Sequence, residues 1–254
     1  MGYQPSGQVL HQSAGTRSEV PGDSRRTGGA LLRWATVAAI CGLALQIAME
    51  FLHPSDAQPN DSAAAFREYA TSHLWTEIHI GQFFGTLLIV VAFVALSRAL
   101  MAQPGLAGVF AALGGIAAMV LAAVFAVQMA VDGVALKGAI DAWINAAGTS
   151  NEAAAFAVAD GIRWVEKGLS GFFQLLTGTT LLALGLSISL GHRFPRWLGW
   201  TGAAAGVGSL AGGTLTALTG FSPVASLTLL PAMLLSLVFL LGVSATVWRN
   251  SAAA

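Results

Sequence analysis

Arg163, Glu166, Lys167, Ser170, Gln174 and Thr177 follow one another at spacings of three, one, three, four and three. On an α-helix all six fall within about 40° of a single direction. One face therefore carries an acid, two bases and three hydrogen-bonding groups. Similar sets recur elsewhere. Gln46, Glu50 and His53 are spaced by four and three, and Gln128 and Asp132 by four. Trp75, His79, Gln82 and Thr86 share one helical face, with His73 and Glu77 nearly opposite. Together Gln46, Glu50, His79, Gln82, Gln128, Asp132, Arg163, Glu166, Lys167, Ser170 and Gln174 could line a pocket for a small polar or ionic ligand. The expected ion pairs join Glu166 to Arg163 or Lys167, and Asp132 to one of the same cations. His53, His73, Glu77 and His79 are metal-ligand types, yet no HxxxH or HExxH pair puts two imidazoles on one face. A bis-histidine haem needs two buried imidazoles, and only His79 lies well inside an apolar run. An intramembrane hydrolase would need a nucleophile and base such as Ser170 beside Glu166 or Lys167.

The segments that must hold these groups are strongly apolar. The chain has 254 residues, of which only 9% are charged and 55% are hydrophobic. Soluble domains carry about 25% charge, so a water-facing surface built from this sequence would expose large apolar patches. The lipid bilayer is the solvent that tolerates it. Net charge is zero, and no basic tract points to nucleic acid. The lone Cys41 offers neither a disulfide nor a thiolate cluster, and reads as a small buried apolar residue.

Six runs approach the ~20 residues a helix needs to cross a bilayer: 31–52, 75–96, 106–131, 164–190, 197–218 and 224–248. Residues 1–30, rich in Gly, Ser and polar side chains, read as a disordered tail, and 250–254 as a short one. The expected fold is all-α, a polytopic membrane protein with six transmembrane helices. With both termini cytoplasmic, eight Arg and Lys lie inside and four outside. Trp34, Trp197 and Trp248 then mark the inner boundary, and Trp75, Trp143 and Trp164 the outer one. In every polar set the hydrophilic groups gather towards the outward half. Long side chains at wetted helix ends would give the same pattern one residue at a time; four helices agreeing in depth favours a shared pocket.

Two outer connections are long. Asp61 is placed to cap a short helix carrying Phe66 and Tyr69, and 137–146 reads as an amphipathic helix with Ile140, Trp143 and Ile144. In "TSNE", Thr149 and Glu152 form a capping box from which a helix could run to Leu190, with Gly161, Gly168 and Gly171 as places to bend. Gly202 and Gly206, then Gly208 and Gly212, repeat at four residues in the fifth run, as do Gly81 and Gly85 in the second. Such spacing lets helices approach closely, within one subunit or, alternatively, across a homodimer. Pro231 should kink the last helix.

"FLHPSDA", "HLWTEIHIGQFFG", "DGVALKGAIDAW" and "RFPRWLGWTG" resemble a family of uncharacterised multi-pass bacterial membrane proteins of actinobacterial type. The resemblance implies a six-helix plasma-membrane protein and brings no cofactor, substrate or catalytic residue. Three functions remain open: a sensor or transport accessory with a polar outward pocket, a membrane enzyme or redox protein using His79 with Glu77 or Asp132 and a metal or haem, and an assembly protein without a ligand.

Overall fold

The computed structural model describes residues 21–252, with side chains from 29 to 250. Eight α-helices follow in order: α1 (Pro21–Leu52), α2 (Ser62–Thr71), α3 (Trp75–Leu100), α4 (Leu106–Ala130), α5 (Lys137–Asn145), α6 (Glu152–Leu190), α7 (Arg196–Thr219) and α8 (Pro223–Ala252), with no strand among the described residues. The expected N-terminal tail lies outside the described residues up to 20, and from Pro21 the chain is already helical. The C-terminal tail is likewise helical to Ala252.

Among the described residues, five segments are long and apolar enough to cross a membrane: Gly29–Leu52, Trp75–Leu100, Leu106–Asn145, Glu152–Leu190 and Pro223–Asn250. The expected fifth span, α7, is not among them, because glycine and threonine dilute its hydropathy. The long helices pack in chain order, α1 on α3, α3 on α4, α4 on α6, α6 on α7 and α7 on α8, and α8 returns to α1. Trp248 Nε1 donates to Thr36 Oγ1 at 3.0 Å across that last seam, so the N-terminal part of α1 and the C-terminal part of α8 meet at one end of the bundle. Cys41 is exposed on α1 rather than buried. A run of exposed Leu, Val, Ile and Phe covers the outside of α1, α4 and α8, a surface suited to acyl chains.

Besides a small alanine seam between α1 and α3 (Ala35, Ala39, Ala92 and Ala95), two separate apolar cores form among the described residues. The larger joins Phe93, Leu96, Leu121, Leu181, Leu184, Leu198 and Phe239 within the bundle. The smaller packs Phe66 and Tyr69 of α2 against Trp75, Leu136, Ile140, Trp143 and Ala159. It forms a cap over one end, termed here the capped end. Asp61 caps α2 as its spacing predicts, accepting from Ala64 N at 3.0 Å. Trp75 and Trp143 are buried in this cap at 1% and 7% exposure, not set in an interfacial belt, whereas Trp164 does face outward. At the start of α6 the expected box is shifted. Glu152 accepts from Gly148 N, and Thr149 Oγ1 accepts from Asn151 N, so the helix opens at Glu152. From there α6 runs 39 residues without a break, ~58 Å at 1.5 Å per residue.

The third span departs most from expectation. It does not stop at Val131. Instead α4 passes through a π-helical turn, Val131–Leu136, directly into α5. A π turn inserts one extra residue into an α-helix and often marks a functional site. Here it carries Asp132.

Candidate functional site

Beneath the cap, α3, the π turn and α6 bring their polar faces together. His79, Arg163 and Glu166 keep no more than 3% of their surface exposed, and Asp132 keeps 7%. Arg163 donates to Glu166 Oε2 at 2.6 Å, one of the two pairings expected for Glu166. Asp132 takes neither Arg163 nor Lys167 as its direct partner. Its Oδ2 lies 3.0 Å from His79 Nε2, an ion-pair contact without the straight geometry of a hydrogen bond. On its other side it neighbours the Glu166 carboxyl. Lys167 is buried but turned aside, its ammonium 4.5 Å from the Trp164 ring centre and its stem against Gly220.

The helices hold this geometry through the backbone. Trp75 Nε1 donates to the Asp132 carbonyl at 2.9 Å, and Thr76 Oγ1 to the Gly133 carbonyl at 2.8 Å. Both carbonyls lie in the π turn, whose changed pitch frees them from a plain α pattern. Above, Arg163 reaches the Tyr69 hydroxyl at 3.0 Å and the Pro59 carbonyl at 3.3 Å. Ser62 donates to Asp160 at 2.6 Å, and Asn60 bridges to Thr219 and Phe221. The cap is thus latched to α6 and to the α7–α8 turn. Burial raises the pKa of Tyr69, against the opposing pull of Arg163. His53, at the end of α1, stacks 5.5 Å from His79 and 4.9 Å from Trp75. Burial and then the charge of His79 lower its pKa.

The remaining expected residues divide. Gln128 Nε2 donates to Ser170 Oγ at 2.7 Å, a second rung between α4 and α6 one turn below Asp132. Gln46 Nε2 reaches the Gln82 carbonyl at 2.8 Å and also Thr86 Oγ1, a separate clasp between α1 and α3. Gln174 packs against Gly213 of α7. Glu50, His73 and Glu77 are exposed. The four first helices therefore do not enclose one pocket together: α1 neighbours α3 and α8 and contributes only His53. The cluster is closed off from the surface, and two recesses lie elsewhere, an apolar one of about 20 Å³ near Leu32 and Phe239 and an open groove of about 480 Å³ by Trp143 and Phe156.

Among the described residues no three of His, Cys, Asp and Glu gather as a metal site. His53 and His79 approach, but His73 and Glu77 stay outside. Ser170 Oγ is engaged by Gln128. Four buried polar atoms around the site have no hydrogen-bond partner: His79 Nε2, Asp132 Oδ1, Gln128 Oε1 and Arg163 Nε. Such atoms cost ~1–3 kcal/mol each when left unpaired, so they point to something the cluster receives. Tyr69, Trp75 and His53 as parts of the site were hidden in the sequence. Trp75 stands four residues before His79, on the same face, and that spacing was the available signal. No protein family matches this chain, and neither curated proteins nor solved structures give a match.

Proposed function

We propose that this is a six-span plasma-membrane protein, with cytoplasmic termini, that binds a small polar or ionic ligand at the capped α3–α4–α6 cluster as a sensor or transport accessory. The observation carrying this reading is the buried set of Asp132, Glu166, Arg163 and His79 around a π turn. Charged groups at membrane depth cost ~2.5–3.5 kcal/mol each on insertion scales, and buried ion pairs rarely return their desolvation cost as stability. A bundle needing only to pack would do better with Leu.

Two observations support the topology. α7 is 24 residues long, ~36 Å, and lies between α6 and α8, so it reaches a comparable depth without their hydropathy. Arg33, Arg98, Arg193, Arg196 and Arg249 sit at the uncapped end, and the capped end then faces outward by the positive-inside rule. The resemblance to actinobacterial membrane proteins agrees with this and supplies no ligand.

Thermal unfolding of the purified protein tests the reading against alkali cations, ammonium, small carboxylates and zwitterionic amino acids. A ligand at 100 times its Kd should add about 2.7 kcal/mol. That gain should disappear in Glu166→Gln and in Asp132→Asn. A flat response across the panel, with no response to pH either, would leave the cluster as a device for fixing helix register, and the reading would fall.

A further inference from the structure

The hydrogens around His79 can be assigned from its neighbours. Its Nδ1 lies 2.6 Å from the Trp75 carbonyl oxygen. A carbonyl only accepts, so Nδ1 carries the hydrogen. In a neutral imidazole Nε2 is then a bare lone pair, and it faces the Asp132 Oδ2 at 3.0 Å. Two lone pairs do not hold one another at that distance. A second proton between them removes the conflict, on the ring or on the carboxyl. We propose that His79 and Asp132 form a binding site for one exchangeable proton, loaded from the capped end alone. This names the ligand of the cluster and rests on its being a ligand site.

Charge balance favours one added proton in the cluster, held by the His79–Asp132 pair or by the Glu166 carboxyl beside it. Around the pair stand Arg163 and Glu166 from α6, His53 with Glu50 from α1, and Tyr69 from α2. On α5, Lys137 and Asp141 pair with each other at 2.5 Å. Arg163 is committed to Glu166, and Lys167 faces Trp164. Two carboxyl groups thus meet one guanidinium, and the cluster lacks one positive charge.

The two ends of the site differ. Towards the cap, the half-buried His53 stacks on His79 and leads to the α1–α2 loop. In the other direction, the Gln128–Ser170 rung gives way to Phe125 and Phe173, 4.6 Å between ring centres. Below them lie the buried Leu121, Leu181 and Leu184, and the buried polar groups at that depth, Thr180, Ser187 and Ser97, are hydroxyls that do not ionise near neutral pH. A proton arriving at Asp132 therefore has no acceptor beyond it, so the device reads acidity on one side and does not conduct. Its output passes through the Asp132 carbonyl to Trp75, and from that ring to Tyr69 at 4.2 Å in the cap.

The test uses the full chain in lipid vesicles. Infrared difference spectra across about pH 4–9 should show one carboxyl or imidazole band pair that is lost in both Asp132→Asn and His79→Gln. Trp75, 4.6 Å from the His79 ring, should report the same step as a fluorescence change absent from Trp75→Phe. If Asp132→Asn does not fold, His79→Gln alone still reads the loss. A band pair that survives both substitutions, or no titration in the wild type, overturns the proposal. After an external pH jump, molecules with the capped end outward should respond before an interior pH dye does; a response that follows the dye in every molecule overturns the one-sidedness. An intact titration beside a flat ligand panel makes the proton the sole ligand. A responding panel without titration keeps the ligand site and removes the proton.

Discussion

Gly133 sits against His79 so closely that a Cβ there would meet the His79 Cβ at 2.5 Å and its Cγ at 3.0 Å. Gly133→Ala must therefore push the imidazole away from Asp132. Overpacking of this kind typically costs ~1–3 kcal/mol, and thermal unfolding should show a loss in that range with the His79 titration disturbed. The Arg163–Glu166 pair gives a second test by residue. Arg163→Met strands Glu166 in a site where it keeps 3% exposure, and breaking a buried pair this way costs ~3–5 kcal/mol. The double change Arg163→Met with Glu166→Met removes both charges and should recover most of that loss. Equal losses in the single and double variants would mean the guanidinium acts through Tyr69 and Pro59 rather than through Glu166.

At the scale of elements, the π turn keeps two register systems in step. Asp132 must face His79, while Ile140 and Trp143 of α5 must face Phe66. In an α-helix one residue turns the following face by about 100°, so inserting one alanine after the π turn, behind Leu136, should swing α5 off the cap. Hydrogen exchange should then rise in α2 and α5 and stay low in α7. The acid response of the cap follows from His53, whose pKa is lowered by burial. Its unfolded form binds protons more readily than the native form, so this stability is present above about pH 6.5 and is lost as pH falls below it. Proteolysis within the α1–α2 loop should accelerate in that window, and His53→Asn should blunt the effect. How much of this could be read from sequence depends on how local each signal is. Long apolar runs and the Asp61 cap are local, so the helices were legible with ends within a few residues. The π turn was not, because its longer hydrogen bonds exist to satisfy Trp75 and Thr76 from another helix. Trp75 and Trp143 looked interfacial since an amphipathic ring suits a membrane boundary and a cap core alike. The pairing of Asp132 with His79 depends on which way α3 rotates, which no spacing on α4 records.

For the whole molecule, the glycines of α7 decide whether it serves the subunit or a partner copy. A Cβ on Gly206 would lie 2.5 Å from Leu182 N and 2.7 Å from the Gly178 carbonyl, and one on Gly213 would lie 2.9 Å from the Gly171 carbonyl. Gly202 meets Phe239, Gly208 meets Ala232 and Gly212 meets Leu229 on α8. Each of these glycines is thus spent between α6, α7 and α8, leaving them nothing to offer across a dimer seam. Backbone cannot yield as a flexible side chain can, so Gly206→Val must separate α6 from α7. Because α6 also carries Arg163, Glu166 and Ser170, that separation should propagate ~25 Å along a rod without a break and disturb the cap as well. Gly161 on the same helix has nothing within 4 Å of an added Cβ. Gly161→Ala should be neutral or should stabilise by up to ~1 kcal/mol, the ordinary helix preference for alanine. Folded yield and cross-linking in membranes distinguish the cases. Gly206→Val should lose folded protein at every concentration, whereas a dimer role would leave a folded monomer behind.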